Sequence, residues 1–233
     1  MKTVQFDLIF DDVLRAAGRP ARFSGQLDAA DAEVVAQLVG EALSDFYDYG
    51  FWPGTFAVEQ RTIDTDDLFV LKEADGETRI GRIEPEECFF EEEPKPGSLY
   101  GVLEQVEDRD DRIVCFDDDC PAQPYVRFQL PVPQFTRVAY AAGSTYVADV
   151  FVYDSTTGEC YRSKQAANTG NAVTDTDWWE KQEFPALART YVKLAASAEL
   201  MAEDDGKYRQ LANANKELED KADRYLPRYR VGR

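Results

Sequence analysis

The chain contains no histidine among its 233 residues. That absence removes Ser-His-Asp and Cys-His triads, histidine-bound metal centres, and the side chain most often used as a general base near neutral pH. Cysteine is sparse, with Cys88, Cys115, Cys120 and Cys160 scattered over segments that read as strands. Cys115 and Cys120 bracket "FDDD", but a C-x4-C spacing with no histidine to complete a ligand set is a poor metal site, so the four are read as buried free thiols. No apolar run approaches the roughly 18 residues of a membrane span, and acids interrupt "MKTVQFDLIFDDVL" where a signal peptide would be apolar. A soluble protein made in the cytosol, without membrane contact, is expected. Also missing are G-x-x-x-x-G-K-[ST], a strand-following G-x-G-x-x-G, and G-x-S-x-G. "STTGECYRS" and "QAANTGNAV" read as hairpin loops, not phosphate cradles.

What the chain has in excess is acid: 45 Asp and Glu against 26 Lys and Arg, a formal charge of −19. This argues against free nucleic acid as the main partner, because phosphate binding needs a surplus of cations. The charge is uneven. Residues 59 to 120 hold 21 acids against 7 bases, a net of −14, whereas residues 181 to 233 hold 9 against 11, a net of +2. The last ten residues, "RYLPRYRVGR", carry four arginines and no acid. With so many carboxylates, pairs at glycosidase-like separations arise by chance, so no residue can be singled out for a cell-wall hydrolase. "EPEECFFEEEPKPG" and "EDRDDR" read as solvated loops or strand rims, since the EF-hand spacing is absent. The reading calls for no catalytic residue, metal or cofactor.

Periodicity divides the chain into three parts. "FDLIFDDVLRAAGRP" places Leu8 or Ile9, Val13, and Ala16 or Ala17 at helical spacing and stops at Gly18 and Pro20. Asp28 can cap a longer helix in which Val34 or Val35, Leu38, Ala42 and Phe46 share a face, ending near Gly50. From about Phe56 to Gln165 the pattern changes to short β-branched and aromatic runs: "FAVEQRTI", "LFVLK", "LYGVLEQV", "DRIVCF", "YVRFQL", "VADVFVY" and "ECYRS". That predicts about seven strands in a small sandwich or barrel; "PQFTRVAYAAGS" fits either a loop or a strand. Helical signals return at Phe184-Pro185, with Pro185 placed at a first helical position. Leu187, Tyr191, Leu194, Ala198 and Met201, then Tyr208, Leu211, Asn215, Leu218, Ala222 and Tyr225, predict an antiparallel hairpin of two helices of about five turns each, ended by Pro227.

Neither helical block is thick enough to fold alone. The expected fold is therefore α+β: a four-helix core of residues 1–55 and 181–233, with a β-rich module of residues 56–180 inserted between its halves. The ends of such an insert must lie close together.

"AVTDTDWWEKQEFPALA" poses a local question, because adjacent tryptophans either present their rings to a ligand or fasten the β module to a helix. Tyr146, Val150, Tyr153, Gly158, Tyr161 and Trp178 or Trp179 stand in an order similar to the small chitin-binding modules of chitinases. That resemblance implies a carbohydrate-binding or receptor-facing role for Tyr153, Tyr161, Trp178 and Trp179. Large aromatics are mostly buried, which favours a staple, with at least one ring packed into the base of the β module or against Trp52-Pro53.

"FDDVLRAAGRP", "AQLVGEALSDFYDYGFWP" and "WWEKQEFPALARTYVKLAASAELMAEDDGKYRQLANANKELEDKADR", in that order, resemble the head-to-tail connectors of tailed double-stranded DNA bacteriophages, the adaptor or head-completion proteins beneath the portal. The resemblance implies a non-enzymatic virion protein of the neck, made in the host cytoplasm. It implies a ring of about twelve copies that docks onto the portal protein, extends the DNA channel without sequence-specific contact, and meets a tail or nozzle protein. The C-terminal segment would then bind the portal through Arg224, Tyr225, Arg228, Tyr229, Arg230 and Arg233.

Overall fold

A computed structural model of the chain describes residues 2–19, 27–50, 52–60, 68–70, 81–83, 89–90, 106–109, 112–115, 123, 125–201 and 205–226. It is a mixed α+β protein of helices and small, open antiparallel sheets, and it divides into two compact units: residues 1–50 with 133–233, and residues 51–132.

In the first unit, α1 (Phe6–Ala16) buries Phe6, Ile9, Phe10, Val13 and Leu14 on one stripe. Of the predicted alternatives Ile9 faces inward, and Leu8 stays half exposed. The helix ends at Gly18, whose φ of 75° suits a residue without a Cβ. Asp28 caps α2 (Ala29–Tyr49) as expected, its carboxylate accepting from the Asp31 N–H at 2.8 Å. Val35, Ala42 and Phe46 of α2 are buried, joined by Ala32, Ala36, Val39, Leu43 and Tyr47; Val34 faces out.

The C-terminal helices differ from expectation. Pro185 does not start a helix. With Phe184 it forms β14 (Phe184–Pro185), a strand paired with β1 (Thr3–Val4), and a 3-10 turn over Ala186–Ala188 delays α3 (Arg189–Glu199) to an 11-residue length. Strand pairing to the N-terminus overrides the local preference of proline for a helix start. α4 (Asp205–Tyr225) runs for 21 residues, yet only Ala214 and Leu218 are buried on it, while Tyr208 and Tyr225 are exposed. α3 packs against α1, α2 and α4. α4 has α3 as its main neighbour, so a narrow stripe suffices to seat it. Pro227 lies outside the described residues.

The same unit holds β10 (Phe151–Asp154), β11 (Glu159–Ser163) and β13 (Trp179–Gln182) in an antiparallel sheet of that order, and a ladder of β9 (Thr145–Tyr146) with β12 (Asn168–Thr169). These residues lay in the predicted inserted module, whose far boundary was placed at 180. The contiguous unit ends instead at Val132, because the 133–182 segment packs with the helices.

The β10–β11 turn joins helix to sheet. Gly158 has a φ of 69°, and its carbonyl accepts from the Asp7 N–H at 3.2 Å. Next to it the Glu159 carboxylate accepts from the Phe6 N–H, and Gln5 Nε2 donates to the Thr157 carbonyl. The first orphan donors of α1 are thus satisfied by a hairpin turn instead of a side-chain N-cap.

In the second unit, β2 (Phe56–Gln60), β4 (Arg82–Ile83) and β5 (Phe89–Phe90) all pair with β8 (Tyr125–Gln129). β3 (Leu68–Val70) and β6 (Val106–Arg109) flank β7 (Arg112–Cys115). Among the described residues both sheets of this unit remain open, so neither closes into a barrel. Its ends do lie together: the Leu130 N–H donates to the Thr55 carbonyl at 2.8 Å, and Phe56 pairs with Gln129. Most of the 59–120 acids lie outside the described residues.

Two glycines separate packing from propensity. A Cβ at Gly158 would stand 2.7 Å from Gln5 Nε2 and 2.8 Å from Asp7 Oδ2, on a positive φ; one at Gly40 inside α2 meets nothing within 4 Å. Gly158→Ala should therefore lower stability by about 1–3 kcal/mol, whereas Gly40→Ala should raise it by up to about 1 kcal/mol. Chemical denaturation of the two variants checks both signs.

Candidate functional site

The four aromatics assigned to a ligand platform do not form one. Trp179 is 2% exposed and Tyr161 7%, and both belong to a cluster with Val152 and Val173. Tyr140, Tyr146, Val150 and Trp178, all partly buried, pack around that cluster. The Trp179 ring meets Tyr140 and Tyr146 edge-on, at interplanar angles of 89° and 70° and centroid distances of 5.7 and 5.2 Å. A sugar-stacking surface needs exposed, coplanar faces, and this is the packing of a small core. Trp179 is buried within the 139–182 β elements, in a cluster that includes no helix residue and neither Trp52 nor Pro53, and its Nε1–H donates to the Asn171 carbonyl at 3.1 Å. The same carbonyl accepts from the Tyr140 hydroxyl at 2.8 Å, which closes the cluster on the loop side.

Tyr153 lies elsewhere, in a polar clamp that spacing did not reveal. Its hydroxyl donates to the Asp7 carboxylate at 2.8 Å. Arg137 Nη1 donates to the other Asp7 oxygen at 2.5 Å, and the guanidinium stacks 4.1 Å above the Tyr153 ring and 4.2 Å from that of Phe10. The Arg137 backbone N–H and the Thr136 hydroxyl both donate to Glu33 of α2, at 2.6 and 2.9 Å to its Oε2. The Thr136 carbonyl accepts from the Cys160 thiol at 3.2 Å. "PQFTRVAYAAGS", which fitted loop or strand, is an extended segment whose Ala139 makes a lone parallel bridge to Tyr153. Asp7, Glu33 and Arg137 are separated by up to 130 positions in sequence, so no local motif could have joined them.

Burial shifts the titration of this region. It pushes the Tyr153 phenol up to about 12, reinforced by the hydrogen bond to Asp7 and opposed by Arg137. The Cys160 thiol rises to about 12 for the same first reason. Cys160 is free and buried as expected; the side chains of Cys88, Cys115 and Cys120 lie outside the described residues. Among the described residues no group of histidine, cysteine or carboxylate side chains is arranged to hold a metal ion, and no helix is long and apolar enough to cross a membrane.

The C-terminal candidates are divided. Arg224 and Tyr225 are exposed on the last turn of α4. Arg228, Tyr229, Arg230 and Arg233 lie outside the described residues. Leu226 continues the helix by one hydrogen bond, from its N–H to the Ala222 carbonyl. The end of α4 thus exposes one guanidinium and one phenol, groups able to pair with a carboxylate and to make aromatic contact.

Comparison of the chain with protein families, curated proteins and solved structures finds no significant match.

Trp179→Ala should destabilise the protein by about 3–5 kcal/mol, the cost of emptying a buried aromatic site, and Trp178→Ala by clearly less; the denaturation midpoints of both variants measure this. The Tyr153 phenol binds its proton more tightly in the folded chain than at the ordinary value of 10.0. The stability it contributes is complete below pH 10 and drains away as pH rises through about 12. Tyr153→Phe should flatten that part of the stability-against-pH curve, read by denaturant titration at several pH values.

Proposed function

We propose that this chain is a structural connector protein, a non-enzymatic ring-forming adaptor of the head-tail neck of a tailed bacteriophage. Its helices would form a four-helix core, and its C-terminal end would dock beneath the portal. The observation that carries the reading is the order of parts. Helices from both ends of the sequence belong to one unit, α3 lies against the other three, and a β-rich unit is inserted between the halves. The exposed Arg224 and Tyr225 at the end of α4 support the tail's assignment. Burial of Tyr153, Tyr161 and Trp179 in the β elements supports a scaffold over a sugar-binding role.

In such a ring the acids of residues 59 to 120 have a physical use, since negative walls repel the phosphates of passing DNA instead of trapping them. Copies assembled in a closed ring, with one face toward the portal and one toward the tail or nozzle protein, would extend the channel with no sequence-specific contact.

Deleting residues 224 to 233 should leave the chain folded, with a small fall in melting temperature from loss of Leu226 against Gly50, and abolish co-assembly with the portal protein encoded nearby, scored by pull-down and by rings in negative-stain images. Unchanged portal binding by the truncated chain refutes the tail's role, and a full-length chain that forms neither rings nor a portal complex refutes the connector reading.

A further inference from the structure

Two stretches of the larger unit carry no charge, in a chain of which 30% of the residues are charged. They are residues 138 to 148, "VAYAAGSTYVA", and residues 165 to 174, "QAANTGNAVT". The fold lays them side by side. Thr145 and Tyr146 of β9 pair with Thr169 and Asn168 of β12, the Thr169 hydroxyl meets that of Thr145 at 2.7 Å, and the Tyr140 hydroxyl donates to the Asn171 carbonyl. Nine residues of the first stretch and seven of the second are exposed, Val147 at 61% and Val138 at 57% among them. Gln165 apart, none of these has a side chain larger than that of valine.

Charged side chains border this face without entering it. Asp149 and Glu180 both hold the Arg162 guanidinium at 2.7 Å, Lys164 donates to the Thr176 carbonyl, and Arg137 is buried against Asp7. With Asp154, Asp175 and Asp177 the rim outside the Arg137–Asp7 pair has five acids against two bases, a net of −3. The surface of α2 is a contrast, since it exposes Asp31, Glu41, Asp45 and Asp48 and contains no base. Among the described residues neither β9 nor β12 has a second neighbour, and neither carries the charge or proline that ordinarily guards an open strand. The open edge of β13 is guarded, by Glu180 and Lys181.

We propose that this uncharged face is where two copies of the chain meet, each presenting the same face to the other. Charge selects the occupant. A cationic partner would gain more at the acid-bearing surfaces of this chain, and nucleic acid finds no cation here. A face without charge suits contact with a surface of the chain's own sign, and a second copy at −19 brings one with the same uncharged face. Small side chains also have little rotamer freedom to lose when covered. The inference goes beyond the connector reading, which needs copies to meet but assigns no surface to that contact. A face that meets itself closes at two copies, so it makes dimers whether or not rings follow.

Sedimentation equilibrium of the full chain tests this. A dimer is expected, tighter at about 0.5 M salt than at about 0.05 M, because salt screens the like charges at the rim and beyond it. Val147→Glu and Ala166→Glu, both at exposed positions, should leave the melting temperature unchanged and weaken pairing at least about tenfold by setting like charges face to face. Tyr208→Glu, at a position 62% exposed on α4, should leave pairing as it is.

A chain that stays monomeric up to about 1 mM at both salt concentrations, a dimer that salt dissociates, or a dimer indifferent to both glutamates would each overturn the proposal. Dimers that never assemble into rings leave this face standing and remove the connector reading. Rings built from a chain whose pairing ignores both glutamates do the opposite.

Discussion

The Arg137 side chain is the point on which the larger unit turns. It lies nine-tenths buried between the rings of Phe10 and Tyr153 and is neutralised by Asp7, while its own backbone N–H is tied to Glu33. Through this one residue α1, α2, the segment returning from the smaller unit and the β10–β11 hairpin are made to agree on a single arrangement. A buried cation tolerates no approximate solution, because losing either partner leaves a charge stranded in a poor solvent. The surrounding apolar contacts, among them Phe6 stacked on Phe135 at 4.8 Å, could slide with little loss; the clamp gives them a register. Gly158 serves the same junction from the other side, since only a residue without a Cβ lets the hairpin turn reach the start of α1.

The aromatic cluster around Trp179 solves a different problem. The 139–182 segment is short of long strands and rich in small polar residues, so it cannot bury much aliphatic surface. It concentrates its apolar area in a few large rings and satisfies their polar edges on the Asn171 carbonyl. Buried Asn168 extends this economy, donating to the Ser163 hydroxyl and accepting from Asn171 Nδ2. A chain with few apolar residues per turn can hold a defined shape this way, at the expense of a surface on which to bind flat ligands.

What could be read from the sequence follows from the range of the interactions involved. The Asp28 cap and most of the faces of α1 and α2 rest on neighbours within four residues and stand where the pattern places them, down to the cap hydrogen bond, although Val39 and not Leu38 is the buried residue at that turn of α2. Strands such as Phe56–Gln60 and Tyr125–Gln129 were visible through their β-branched and aromatic content. Trp179–Gln182 was not: "WEKQ" carries two exposed charged residues, and its strand character is imposed by pairing with β11. Phe184-Pro185 was misread because its partner, Thr3-Val4, stands at the far end of the chain. The face of α4 was displaced toward its tyrosines, since periodicity says which residues could share a face and nothing about how many neighbours the helix has. The Asp7–Arg137–Glu33 clamp had no local signal, because each member is an ordinary surface-type residue until the fold brings them together.

The smaller unit leaves and rejoins the chain as two neighbouring antiparallel strands, with Thr55 hydrogen-bonded to Leu130 at its base. A module attached by such a paired stem resembles a cassette on a two-pin socket. Any other domain whose first and last strands are partners could be joined to the chain through the same paired stem. Recombination across this stem would let a lineage exchange whatever surface the unit displays.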